Sequence, residues 1–353
     1  MKLFTIGPVQ MYQHTLDVKA EQPPYFRTDQ FSKLTSDTDK LFKELIGTDC
    51  SSFVMYLASS GTAAMEAAIC NLFSKKEKLL IVNGGTFGQR FVEICKRKSI
   101  PFDEIQVNFG EDLVADHFSN VDGHSYSGLC VNLHETSIGK LYNIELISNF
   151  CKNNNILLVA DAMTTFMCDD FRMDDFGVDV SIVSSHKGLC LSPGLSMLVL
   201  NQKALAKSEA IVHDSLYFSL KDYRESFQRC QIPYTPAIGI LLELNDMLKR
   251  IDSFGLVNRL SEIESRARYF RDGLKDLDLT LPPYKMSFAL TPVNLNNDLA
   301  IDLFDYLRNN CELMVNPSGY PHSKKMIRIS HIGDLRFEDY DYLLSCLEDF
   351  LYR

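Results

Sequence analysis

The chain has 353 residues, 46% of them hydrophobic and 23% charged, with a formal net charge of −10 at pH 7. That is the balance of an ordinary globular protein too long for one comfortable core, and its acidity excludes nonspecific nucleic-acid binding, which needs clustered Lys and Arg. No apolar run reaches membrane-spanning length, and the ten cysteines are scattered without a C-x-x-C pair, which fits reduced thiols better than a disulfide framework or a metal site.

The first six residues form too short an apolar run for a secretory segment, so a cytoplasmic protein is expected. Strand-like runs then alternate with helical patterns. Phe53–Leu57 leads through Ser60-Gly61-Thr62 into a helix over 63–73, rich in Ala, Met and Leu. A strand over 79–82 ends at Asn83-Gly84-Gly85, and a helix over 88–98 precedes a short strand near Phe102. A strand over 128–133 ends at His134-Glu135-Thr136-Ser137, and a helix over 144–153 leads to the apolar run 156–161, which closes on Asp161. The run 178–187 closes on Ser184-Ser185-His186-Lys187. Continuous apolar runs of this kind are strands buried on both faces, and the alternation predicts a mainly parallel α/β sheet with crossover helices.

Beyond Lys187 a strand is expected over Ser196–Leu200 and a helix over Ile238–Phe254. A long amphipathic helix over 256–277 carries Arg259, Glu262, Glu264, Arg266 and Arg268 on its wet face. A strand over 286–290, a helix over 297–309, a strand over Met326–Ser330 and a closing helix over 338–352 make a smaller α+β unit. The expected division is an N-terminal arm (1–14), a large domain (15–254) and a small C-terminal domain (255–353).

Sites in open α/β sheets form at the carboxyl ends of the strands. A lysine or an aspartate at a strand end is, alone, a solvated end or a helix cap. Together, Lys187 and Asp161 suit one cofactor, pyridoxal 5′-phosphate (PLP): the amine forms the Schiff base and the carboxylate keeps the pyridine nitrogen protonated. Ser60-Gly61-Thr62, at a strand-to-helix junction, offers backbone N–H groups and two hydroxyls to a phosphate. Phe87, between turn residues, offers a face to an aromatic ring. Thr136 adds a hydroxyl at a third strand end.

These residues resemble the class V aminotransferases, PLP enzymes of fold type I that include alanine–glyoxylate, serine–pyruvate and 2-aminoethylphosphonate–pyruvate aminotransferases. The resemblance runs from Gly7-Pro8 to Arg328. The phosphate turn S-G-[TS/H] is matched by Ser60, Gly61 and Thr62. N-G-x-[FWY]-G-x-R is matched, with one extra residue, by Asn83 to Arg90. H-x-E-[ST]-[ST]-x-G is matched more loosely by His134 to Gly139, D-[AS]-[VM] is matched by Asp161-Ala162-Met163 and S-x-K-x-L by Ser185 to Leu189, while Pro193-Gly194-Leu195 resembles P-P-G-[LT] and Lys325 to Ser330 resembles [FLV]-R-[IL]-[GS]. The resemblance implies Asp161 on the pyridinium, Phe87 and Met163 on the two ring faces, and Thr136 beside the cofactor. It also implies His186 near the phosphate, Thr235 reaching the neighbouring subunit's phosphate in a homodimer, and Arg328 on the substrate carboxylate. Where relatives carry a tyrosine three residues before Thr235, this chain has Ile232, with Tyr234 adjacent.

The implied activity moves an amino group from an amino acid or aminophosphonate to a small 2-oxo acid by a ping-pong mechanism. The residues leave other readings open: a lyase or amino-mutase, a cysteine desulfurase with Cys311 as its thiol, or a catalytically inactive binding protein.

Overall fold

The apolar runs form one seven-stranded sheet. The computed structural model describes residues 1–353 except 213–214, 278, 297, 320 and 353. Strand order across the sheet is Phe53–Leu57, Ser196–Leu200, Val180–Ser184, Leu157–Asp161, Gly128–Asn132, Leu79–Asn83 and Phe102–Gln106. The last five pair in parallel, and Ser196–Leu200 is antiparallel to both of its neighbours. Phe53–Leu57 therefore points the same way as the parallel strands, and only Ser196–Leu200 runs against them. The cause is local: residues 185–195 connect it to Val180–Ser184 without a helix, and a parallel return needs a crossover.

Helices Gly61–Leu72, Thr86–Lys98 and Ile144–Asn154 are the expected crossovers. Asn143 caps the third, its side chain accepting from Glu145 N and Leu146 N. Four helices were not expected: Gln13–Lys19, Asp29–Ile46, Gln202–Ser208 and Leu220–Phe227. Asp29–Ile46 carries clear end signals, an N-cap at Thr28 whose hydroxyl accepts from Phe31 N and a C-cap at Gly47 in the left-handed region, φ 72°.

A second hydrophobic cluster includes Phe4, Phe270, Val293, Leu303, Ile327 and Tyr340. It lies between helices Leu256–Gly273, Ala300–Asn310 and Phe337–Leu351 and a three-stranded sheet ordered Leu290–Asn294, Met326–Ser330, Asn316–Pro317. The first residues join this cluster, because Lys2–Leu3 pairs with Leu313–Met314.

Three expectations change. The strand expected over 286–290 lies at Leu290–Asn294. It includes Pro292, which is tolerated because this is an edge strand. The helix expected over 297–309 is Ala300–Asn310, and its expected first residue, 297, lies outside the described residues. Arg259 is not on a wet face. It shares a buried stripe with Ile263, Ala267 and Phe270. There it donates to the Tyr12 hydroxyl, to Cys190 Sγ at 3.1 Å and to Gly188 O at 3.4 Å. Among the described residues no helix is long and apolar enough to cross a membrane.

Candidate active site

The carboxyl ends of five like-directed strands deliver Ser60, Asn83, Asn132, Asp161 and Lys187 to one rim of the sheet. Lys187 follows strand Val180–Ser184 in a loop fastened at several points. Ser185 N donates to Leu195 O at 3.0 Å, Ser185 Oγ to Ser192 O at 2.7 Å, and Ser192 N to Glu243 Oε2 at 2.8 Å. Lys187 is 9% exposed, and its Nζ makes no hydrogen bond to the described residues. Burial lowers its pKa to about 8, opposed by the Asp161 charge. The amine therefore carries an appreciable neutral fraction near neutral pH, as a nucleophile requires.

Asp161 is 1% exposed. Its carboxylate accepts from Met163 N at 3.0 Å and from Asn132 Nδ2 at 2.8 Å. Burial still outweighs these bonds and raises its pKa to about 6. A buried carboxylate this costly is suited to a cationic partner.

Gly61 opens helix Gly61–Leu72. A Cβ there would stand 2.1 Å from Met163 Sδ and 2.5 Å from Ser184 Oγ, so any larger residue would displace the Met163 side chain. Ser60, its N-cap, makes no side-chain cap, and Thr62 Oγ1 accepts from Arg90 Nη1 at 3.1 Å. The Arg90 guanidinium also lies over the half-buried Phe87 ring, 4.9 Å from its centroid. The half-buried His186 has a buried Nδ1 without a partner among the described residues, and burial lowers its pKa to about 4. Gly7 packs against this corner: a Cβ on it would lie 2.9 Å from both His186 Cδ2 and Lys187 Nζ.

Thr136 is buried, donates to His134 O at 3.0 Å and lies 2.7 Å from Thr164 Oγ1. Arg328 comes from strand Met326–Ser330 of the second cluster. It donates from Nη1 to Thr136 O at 2.8 Å and from Nη2 to Pro317 O at 2.7 Å. Its Nε is buried without a partner among the described residues, and desolvation lowers its pKa to about 10. Thr235 is exposed between helices Leu220–Phe227 and Ile238–Phe254, and among the described residues it makes no hydrogen bond to any of these side chains.

The sequence reading missed several members of this rim. Asn132 ends its apolar run as Asp161 ends the neighbouring one, and the two pair in register. Gly7 and Arg90 gave no signal of their own beyond a motif position. The motif around Glu135 is also offset: the glutamate follows His134 directly, so Glu135, Thr136, Ser137 and Gly139 match the pattern while His134 sits one residue nearer. His134 is fully buried, and burial lowers its pKa to about 3.

The chain is similar to many aminotransferases along its length. An uncharacterized aminotransferase of Helicobacter pylori is 28% identical over 353 residues, covering 99% of this chain and 93% of that protein. L-aspartate–glyoxylate aminotransferase of Paracoccus denitrificans is 30% identical, covering 80% of this chain and 74% of that one. The crystal structure of an alanine–glyoxylate aminotransferase from Nostoc sp. superposes with a TM-score of 0.93 at 24% identity, covering 99% and 95% of the two chains, which identifies the fold as type I. The family model for class V aminotransferases matches residues 11–329, and the chain belongs to that family of enzymes.

Proposed function

We propose that this aminotransferase uses PLP and moves an amino group from an α-amino acid to a small 2-oxo acid, at the rim built around Lys187 and Asp161. The observation that carries the proposal is a buried amine of lowered pKa, without a hydrogen bond among the described residues, on the same rim as a buried carboxylate of raised pKa. The residues fit the cofactor in other ways. Gly61 lets the first turn of its helix pack directly against Met163 and Ser184, where a Cβ would stand 2.1 Å and 2.5 Å from their side chains. Ser184 Oγ, His186 Nδ1 and Arg328 Nε are buried polar atoms without partners among the described residues, and such atoms are uncommon unless something binds them.

Asp161 would hold the proton on the ring nitrogen. Phe87 and Met163 would bracket the ring, Thr136 would lie at its edge, and Ser60, Gly61, Thr62 and His186 would hold the phosphate. Thr235 would come from the neighbouring subunit of a homodimer, which accounts for its exposure here. Bound in this way, PLP supplies an electron sink for the charge left when the α-proton departs. Lys187 Nζ anchors the cofactor covalently and, when free, carries that proton. Arg328 holds the substrate carboxylate through its free N–H groups and so aligns the α-carbon with Lys187. Residues 15–254 would form the large domain and 255–353 the small one, with the substrate between them. The two half-reactions share one site, so ping-pong kinetics follow.

The desulfurase reading loses ground to geometry. Cys311 is buried at the end of helix Ala300–Asn310, not on an exposed loop. The names of the relatives make glyoxylate the first acceptor to test. The experiment is reconstitution with PLP, borohydride reduction and mapping of the labelled residue, followed by a screen of amino donors against glyoxylate and pyruvate. A label anywhere but Lys187, or no turnover with any α-amino acid, rejects the proposal.

A further inference from the structure

Helix Thr86–Lys98 carries Phe87 at its second position, yet it has no cap of its own. Its N-cap is Gly85, which has no side chain to accept a hydrogen bond. The first N–H groups of a helix need acceptors, and here they come from another strand end. Phe87 N donates to Glu135 Oε1 at 3.2 Å and Gly88 N to Glu135 Oε2 at 2.9 Å, across 48 and 47 residues of chain. Ser137 completes the arrangement: its Oγ donates to Glu135 Oε1 at 2.5 Å and accepts from Thr86 N at 3.3 Å. Glu135 is fully buried. The approach is close enough that a Cβ on Gly85 would lie 2.6 Å from Glu135 Cδ and 2.5 Å from Ser137 Oγ.

Resting on the proposed function above, we infer that Glu135 is a positioning residue for the cofactor ring. Its carboxylate fixes the first turn of helix Thr86–Lys98 and so sets the plane of the Phe87 ring. A negative charge is the right acceptor at this place, because the helix dipole favours anions at its N-terminus. Both oxygens are used, one on each successive N–H. Thr136, the next residue, holds Arg328 through its carbonyl, so one short loop spaces the ring-stacking face from the carboxylate anchor.

Glu135→Gln tests this. The amide keeps the shape and one acceptor oxygen, but its NH2 must face one of the two backbone N–H groups. The probe is pyridoxamine 5′-phosphate, which forms no covalent bond to Lys187 and therefore reads the stacking contacts. Its Kd is measured by calorimetry on cofactor-free protein, in a double-mutant cycle with Phe87→Ala. We expect Glu135→Gln to weaken binding about tenfold, or about 1.4 kcal/mol, when Phe87 is present, and less than about twofold when residue 87 is alanine. Equal weakening in both backgrounds, or none in the wild-type background, overturns the inference, since a general structural role does not depend on the ring. If Glu135→Gln yields no folded protein, the same cycle with Ser137→Ala decides, with roughly a two- to fivefold effect expected only where Phe87 is present. Failure of the wild-type protein to bind the probe would instead overturn the proposed function itself.

Discussion

Replacing Asp161 by Asn should make the cofactor-free protein more stable while removing its activity. Burial raises the Asp161 pKa from the ordinary 3.8 to about 6. At 1.36 kcal/mol per pKa unit, keeping this group charged costs the folded state about 3 kcal/mol at neutral pH. Asparagine removes that cost. Its oxygen still accepts from Met163 N, and Asn132, whose Oδ1 has no partner among the described residues, can turn its amide to accept from the new NH2 group. The sign follows from linkage. The folded state binds more protons than the unfolded state between pH 3.8 and about 6, so the wild type loses stability as pH rises through that window. The advantage of the variant should therefore be about 3 kcal/mol near pH 7.5 and roughly half of that near pH 5. For a chain of this length 3 kcal/mol corresponds to a Tm rise of about 4 °C. The assay is scanning calorimetry of both cofactor-free proteins at the two pH values, with transamination rates measured after PLP loading. A variant less stable than wild type near neutral pH, or an advantage that grows on acidification, would refute the desolvation argument. A rate loss under about tenfold would show that Asp161 is not the partner of the ring nitrogen, where a loss of several orders of magnitude is expected.

Lys187→Ala should abolish transamination yet still bind PLP non-covalently; undiminished turnover without added amine, followed by coupled assay, would remove Lys187 from the mechanism. Arg328→Lys keeps the charge but reaches only one of the two carbonyls, Thr136 O and Pro317 O, that now fix the guanidinium. It should lower kcat/KM for α-amino acids by roughly tenfold to a few hundredfold and leave the PLP absorbance spectrum unchanged; wild-type kcat/KM for every carboxylate substrate would place the anchor elsewhere. Sedimentation at micromolar concentration should give twice the 40.2 kDa chain mass, and a fully active monomer would contradict the role given to Thr235. In cofactor-free protein, capture of PLP by Lys187 should speed up as pH rises from about 6 to 9 and be half-maximal near pH 8, because the amine reacts only when neutral; a pH-independent rate would mean that another step limits loading.

The amino-acid sequence by itself determined the sheet and the two strand-end residues around which the site is proposed. The run 156–161 is apolar up to Asp161, and strand Val180–Ser184 stays buried along its whole length although Ser181 interrupts it, because a central strand is covered on both faces; each run closes on a polar residue delivered to the rim. That link is local, so Asp161 and Lys187 were legible without coordinates. Helix ends with their own caps, as at Thr28, are local in the same sense, even where they were passed over. Tertiary structure decided what depends on neighbours distant in the chain. Arg259 reads as a charged surface residue until Tyr12 and the Lys187 loop are brought against its helix. Pro292 reads as a strand breaker until pairing leaves it at a sheet edge. Glu135 reads as one polar letter in a strand-end cluster until helix Thr86–Lys98 sets its bare first turn on the carboxylate. In each case the hydrogen-bonding groups of one segment are satisfied by another, and no period or composition in either segment records that partner.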